Sequence, residues 1–314
     1  MTGYKNNIDD TPRVWSPNKF NISSFDILTP PPLLISFIKS QLQQSGIARA
    51  QLLLPQSDAA SEVLEHMIME ISKKIGFLLP QTYQGNLVAH IQDEGSDYAN
   101  HAVRGHKTSS ELAFHSDRCD INMLLYVRPA AQGGEVSIVS YEEAATILQK
   151  RYPQAFDALC DGFTFDLREE RIFPSLKWHW RPVIWRTGQG LRGHYIRRFI
   201  TDSQRHEDCP RLTATQLAAL DQFDEVLAEI KGDHSFAPSA NELVVFDNYR
   251  VMHARTAFCN QDSKRLVLRT WVAPFESEPL PPFLHPLAGS CRPGVFRGGV
   301  GTGEDFHARL GERL

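Results

Sequence analysis

The chain has 314 residues, 42% of them hydrophobic and 22% charged, with a formal net charge of -4. That balance suits one large or two small globular domains whose core needs no staples, and it shows no dense Lys/Arg stripe of the kind nucleic-acid binders carry. The 5 cysteines lack paired spacing and read as reduced thiols. The N-terminus lacks the basic-then-apolar order of a secretory signal, and no apolar run is long enough to span a bilayer. The expected compartment is therefore the cytoplasm and the expected partner a small molecule, with neither nucleic acid nor membrane; the oligomeric state is left open.

In chain order, the first two dozen residues form a polar, Pro/Asn-rich arm. Pro30-Pro31-Pro32 opens an apolar run through Leu33, Leu34, Phe37, Ile38 and Leu42, spaced as a helix whose first turn tolerates proline. Ser57 begins a second helix, with Val63, Met67, Ile71 and Ile75 on one face, Lys73 and Lys74 in the last turn and Gly76 as the stop. Residues 87–91 read as a strand, 92–110 as a polar loop, and 121–127 and 135–139 as strands around a turn at Gly133-Gly134. Ser140 with Glu143, and Thr213 with Gln216, form capping boxes for two further helices. The first ends near Pro153; the second carries Leu217, Leu220, Phe223, Leu227 and Ile230 and closes at Gly232. Residues 242–246 and 265–272 read as late strands, and the Pro/Gly-rich stretch beyond Pro274 as a loose tail.

The expected architecture is mainly β with flanking helices, of the jelly-roll kind, because that arrangement brings sequence-distant strands together around one mouth. A single domain over 1–314 accommodates it: an arm and helices over 1–80, a core over 81–275 with an insertion at about 141–235, and a tail over 276–314.

His115-Ser116-Asp117 and the remote His253 carry the chemistry. Residues two apart on an extended edge project to one side, so His115 and Asp117 can reach one metal, and two imidazoles with one carboxylate are the usual ligands of non-haem Fe(II) oxygenases. Alone, the His-x-Asp triplet also fits a surface turn in which Asp117 accepts a backbone N–H. His253 follows the buried-strand pattern of 243–246 and precedes Arg265 and Arg269, four apart and thus on one face. Two inward guanidiniums require anions and pair bidentately with carboxylates. An acidic co-substrate would answer one of them; an edge strand carrying two surface arginines is the alternative.

The order Phe114-His115-Ser116-Asp117, Gly133-Gly134-Glu135, 246–256 (Phe246 through His253 to Thr256) and Arg265 resembles the taurine dioxygenase/clavaminate synthase-like superfamily over about residues 80 to 275. The resemblance implies an Fe(II)- and 2-oxoglutarate-dependent dioxygenase on a double-stranded β-helix. It implies His115, Asp117 and His253 as iron ligands, with O2 as the oxidant. Arg265 would be the clamp for the distal carboxylate of 2-oxoglutarate, and Arg269 a second clamp or a substrate contact, the two roles being exchangeable by a slip of register. Relatives often carry Thr just after Gly-Gly-x; here Val136 stands there, so Ser137 is the candidate substitute. Related halogenases replace the carboxylate, and this chain keeps Asp117, which favours oxygen insertion or desaturation at an unactivated C–H bond with release of succinate and CO2. The implied substrate is a small molecule, an amino acid or an intermediate of specialised metabolism (natural product biosynthesis).

Asn122, Arg118 and His90 are further candidates for substrate contact, although Arg118 also fits a rim position and His90 a hydrogen-bonded core position. Trp178-His179-Trp180-Arg181 fits a lid or a packed hairpin, and Cys119 a small apolar filler. The alternative function is a non-catalytic jelly-roll binding protein with a structural metal or none. A zinc hydrolase fits less well, because no HExxH helix is present and the two arginines would have no use.

Overall fold

The structure, a computed structural model, describes residues 23–26, 32–53, 61–95, 108–168, 172–260, 264–301 and 304–311. Strand β1 (Ser23–Asp26) and helix α1 (Pro32–Ser45) lead into β2 (Ile47–Leu53), α2 (Ser61–Lys73), β3 (Gly76–Leu79) and β4 (Val88–Ile91). Next come β5 (Leu112–His115), β6 (Ile121–Arg128), β7 (Gln132–Gly133) and β8 (Val136–Ser140). The interval that follows holds α3 (Tyr141–Arg151), α4 (Pro153–Asp161), β9 (Phe163–Asp166), β10 (Trp178–Arg181), β11 (Ile184–Thr187), β12 (Gly190–Gly193), α5 (Arg197–Asp202) and α6 (Ala214–Ile230). The chain then returns through β13 (Ser235–Phe236), β14 (Glu242–Asp247), β15 (Val251–Arg255), β16 (Phe258–Cys259) and β17 (Leu266–Pro274), and closes with α7 (His285–Ala288) and α8 (Glu304–Arg309).

Two sheets form the centre. The larger runs β1-β2-β14-β6-β17-β3, with β4 also on β17; the smaller runs β13-β8-β15-β5. Pairing is antiparallel except between β1 and β2. The central strands are apolar on both faces because both are covered. From β6, Ile121, Met123 and Leu125 face α1 and α2, while Leu124 and Tyr126 face the smaller sheet. From β14, Leu243 and Val245 join the helix side, and Val244 and Phe246 the inter-sheet side. Val136, Ile138 and Val251 of the smaller sheet complete that inter-sheet core. On its outer side, the smaller sheet carries the α3, α4 and α6 helices through Val139, Met252 and Ala254 against Leu148, Leu159 and Phe223.

Several sequence expectations are revised. The proposed start of α2 at Ser57 and most of the 92–110 loop lie outside the described residues, as does the first part of the N-terminal arm. The buried face of α2 is Leu64, Ile68 and Ile71, with Ile75 just beyond the helix, whereas Val63 is 59% exposed: the apolar stripe is read one residue off by the every-fourth pattern, because 3.6 residues per turn drifts away from a strict repeat of four. Gly76 opens β3 rather than merely ending the helix; a Cβ there would lie 2.1 Å from the carbonyl oxygen of Ala273. The helix after Ser140 ends at Arg151, and Pro153 starts another, as proline at a first turn allows. The described residues beyond Pro274 are not loose. Leu280, Leu284 and Leu287 pack on Trp185 and Tyr249, and Phe296 and Val300 pack on Leu79, Cys119 and Trp271. No helix among the described residues is long and apolar enough to cross a membrane.

Candidate active site

β5 and β15 are antiparallel neighbours in a register that sets His253 opposite His115. Their imidazole centroids lie 4.1 Å apart with planes inclined by 45°. His115 Nδ1 is 2.8 Å from the Ala113 carbonyl oxygen. A carbonyl only accepts, so Nδ1 carries the proton and Nε2 presents its lone pair. His253 lies against Phe246 with centroids 4.7 Å apart, and its buried Nδ1 has no hydrogen-bond partner. Burial, the first cause for both rings, lowers their pKa values below the ordinary histidine range. Both are therefore neutral near pH 7, the form a metal binds.

Asp117 lies two residues past His115, on the loop into β6. Its backbone N–H donates to Asn248 Oδ1 (3.1 Å), and Asn248 Nδ2 donates to Cys119 Sγ (3.0 Å). Its Oδ2 accepts from Asn122 Nδ2 (2.5 Å) and Arg269 Nη1 (3.0 Å). Arg269 is itself fixed, its Nε donating to Gln81 Oε1 (2.7 Å) and its guanidinium lying 4.7 Å from the Trp271 ring centroid. With the carboxylate engaged in this way, no three His, Cys, Asp or Glu side chains among the described residues stand in a ready metal-holding cluster. The donor set nevertheless fits Fe(II): two neutral imidazoles in contact, one carboxylate lining the same cavity, and an orphaned His253 nitrogen.

These groups line a cavity of about 190 Å³ between the sheets. Arg265 lines it too, 3% exposed, its guanidinium 5.0 Å from the Phe258 centroid and 5.7 Å from that of Tyr126. Its Nη1 has no hydrogen-bond partner and no carboxylate among the described residues pairs with it. Burial lowers its pKa, while the Tyr126 phenol raises it. The opposite wall belongs to the interval between β8 and β13: Arg168, Arg197, Arg198 and Phe199. Arg168 Nη2 and Arg198 Nε both approach Asp202 Oδ2, at 2.9 and 3.6 Å, while Arg197 pairs with Asp221 and Asp224.

The structure thus brings together His115, Asp117, His253, Arg265, Arg269, Asn122 and Arg118. Arg118 is buried, not a solvated rim residue, and donates to the Leu287 carbonyl (3.2 Å). Two candidates fall outside the cavity. His90 points to the helix side and pairs with Glu65 of α2 (2.8 Å), while its neighbour Ile91 lines the cavity. Ser137 points away from the cavity, its hydroxyl 2.7 Å from that of Ser235, and Val136 lines the wall instead. In both places the period-two alternation of a strand selects the neighbouring residue. Gln81 and the arginines of the opposite wall carried no motif, the Arg197-Arg198 doublet before Phe199 being the latter's only trace; Asn248 lay within the 246–256 stretch without a role of its own.

A model of the taurine catabolism dioxygenase TauD, TfdA family matches residues 15–271, and the chain belongs to that family, which is one of 2-oxoglutarate-dependent non-haem iron oxygenases working with Fe(II), 2-oxoglutarate and O2. An FR-33289 synthase of Streptomyces rubellomurinus is 27% identical over 205 residues, 63% of this chain and 60% of its own length. An asparagine oxygenase solved with Fe(II), 2S,3S-3-hydroxyasparagine and succinate superposes with a TM-score of 0.57 at 17% identity, over 77% of this chain and 79% of its own. The non-haem iron oxygenase OrfP, solved with Fe and α-ketoglutaric acid, gives 0.54 at 14%, over 77% and 80%. At these identities the two solved structures speak for the fold.

Proposed function

We propose that the chain is a hydroxylase or desaturase of a small molecule, on a double-stranded β-helix (jelly-roll) frame formed by the two facing sheets. His115, Asp117 and His253 would hold Fe(II), and Arg265 the distal carboxylate of 2-oxoglutarate. The observation that carries this reading is Arg265: a guanidinium buried in the same cavity as the two touching imidazoles, with Nη1 unmatched. An unmatched buried charge is costly, and a carboxylate ligand removes the cost with bidentate geometry. Once bound, the iron with 2-oxoglutarate and O2 supplies the oxidising power to break a C–H bond, leaving succinate and CO2.

The protein's own part is position and enclosure. The Ala113 carbonyl fixes the His115 tautomer. Asn122 and Arg269 hold Asp117 through Oδ2. Phe114, Leu124, Tyr126, Val136 and Trp271 line the cavity with apolar surface that excludes water. With relatives that include FR-33289 synthase and asparagine oxygenase, an amino acid or a specialised-metabolism intermediate is the class we infer. Anaerobic titration with Fe(II) and 2-oxoglutarate tests the reading: a visible metal-to-ligand charge-transfer band is expected, followed by succinate in air. Absence of both overturns it.

A further inference from the structure

The interval between β8 and β13 does more than wall the cavity. Its β12 end runs into Gly193-His194-Tyr195, which crosses directly behind the loop that carries Asp117. The Ser116 N–H donates to the Tyr195 carbonyl (2.8 Å), and His115 forms an isolated antiparallel bridge with Ile196. Ser116 Oγ is 2.7 Å from the Tyr141 hydroxyl, which also accepts from the Tyr195 N–H (2.7 Å). Gly193 fits this crossing because a Cβ there would stand 2.3 Å from the Tyr141 ring.

His194, 1% exposed, sits at the centre of the crossing. Arg181 Nη2 is 2.8 Å from His194 Nδ1, and Arg181 Nη1 donates to the His194 carbonyl (2.8 Å). A guanidinium has only donors, so Nδ1 must accept. The imidazole proton is thereby placed on Nε2, which lies 3.1 Å from the backbone carbonyl oxygen of Asp117. Arg181 is wholly buried with no carboxylate paired to it among the described residues; its guanidinium lies 3.4 Å from the Phe165 centroid. Burial lowers its pKa to about 9, so it remains a cation at neutral pH. A buried cation that serves an imidazole rather than a carboxylate is an expensive arrangement for stability alone.

We propose that His194, locked into one tautomer by Arg181, is a positioning residue that holds the Asp117 loop in the conformation that presents its carboxylate to the metal. The proposal rests on the reading of Asp117 as an iron ligand. It makes the segment containing Trp178–Arg181 a brace for the metal loop rather than a lid: opening it would break the Arg181–His194–Asp117 chain.

The test is anaerobic Fe(II) binding by calorimetry, with thermal unfolding of the metal-free protein alongside. His194→Gln retains an N–H donor at the reach of Nε2. His194→Asn keeps an acceptor for Arg181 but cannot reach Asp117, and His194→Phe keeps the ring without either bond. Phe and Asn variants are expected to weaken Fe(II) binding by about 10- to 100-fold, the usual effect of losing a group that orients a ligand, with Gln restoring it to within about threefold. If Phe does not fold, the Gln and Asn pair decides alone. Wild-type affinity in the Asn variant, or a Gln variant as weak as Asn, overturns the proposal. Failure of the wild-type protein itself to bind Fe(II) would instead overturn the oxygenase reading.

Discussion

Arg265, the residue just before β17, and Arg269, within that strand, are treated differently by the protein. Arg265 and Arg269 stand four residues apart on one inward face and are both nearly inaccessible. Arg269 is fully employed by the protein, between Asp117, Gln81 and Trp271. Arg265 has aromatic rings around it and an unmatched Nη1. A charge that the chain itself satisfies is structural, whereas one that the chain buries and leaves unmatched beside a cavity is waiting for a ligand. This difference supports the proposed pairing of the co-substrate with Arg265, which the spacing of the two residues could not single out.

The comparison can be broken most directly by replacing each arginine with methionine. Arg265→Met should cost roughly 2–5 kcal/mol in 2-oxoglutarate binding, the usual result of truncating one partner of a buried charge contact. The same change should leave the ligand-free protein as stable or more stable, because an uncompensated buried cation has gone. Arg269→Met should do the reverse to the ligand-free protein, lowering stability by about 3 kcal/mol because the Asp117 carboxylate loses its guanidinium partner, and it should weaken Fe(II) binding about 10- to 100-fold. Charge-transfer titration and denaturant unfolding read the two effects. Equal stability changes in the two variants would void the distinction.

The contrast also shows what a sequence can and cannot disclose. The proposed ligand triad was legible as a candidate because His115 and Asp117 are close in the chain and His253 lies just beyond a strand whose apolar run, Leu243 to Phe246, is unmistakable. The pair Arg265 and Arg269 was legible as a shared face, since period two is a local property. The groups that hold Arg269 and Asp117 were not, because Gln81 reaches Arg269 only through the pairing of β17 with β3, and Asn248 reaches the Asp117 N–H only through the turn after β14. His90 and Ser137 were misplaced for a narrower reason. Strand assignment was right in both stretches, but which face turns inward depends on the neighbour strand, and one residue decides it. The stretch beyond Pro274 read as loose because its glycines and prolines hide any period. Its burial comes from isolated anchors, Phe296 and Val300 among them, and from Arg297, whose Nε donates to Asp120 Oδ2 (3.0 Å) three residues past Asp117.

His179 sharpens the comparison from another side. Its two ring nitrogens are buried without partners, yet it does not line the cavity, so being unmatched does not by itself mark a ligand site. Burial drives its pKa well below the ordinary 6.5, with Arg181 and Arg118 adding to the effect. With the folded value depressed, the unfolded chain binds the proton first as pH falls. The neutral ring therefore contributes its full stability above pH 6.5 and loses it towards the lower folded value, by up to about 1.4 kcal/mol per pH unit. His179→Phe should flatten that acid limb. Denaturation midpoints at pH 7.5 and 5.5 should converge in the variant relative to the wild type, and an unchanged gap would show that His179 is not the group responsible.

The smallest expected effect concerns the opposite case, a group already satisfied. Ser137 is the candidate substitute for the hydroxyl that Val136 lacks, but its Oγ is held by Ser235 and Val136 turns to the cavity. Ser137→Ala should therefore change 2-oxoglutarate affinity by less than about twofold, while losing about 1 kcal/mol of stability with the Ser235 hydrogen bond. Val136→Thr places a hydroxyl on the wall that faces the arginine-bound end of the cavity, and it should tighten 2-oxoglutarate binding if that end is where the distal carboxylate lies. Tighter binding in the threonine variant with none lost in the alanine variant would place the co-substrate beside Arg265 by a route independent of either arginine. The opposite pattern would return the co-substrate to the Ser137 side and with it reopen the assignment of Arg269.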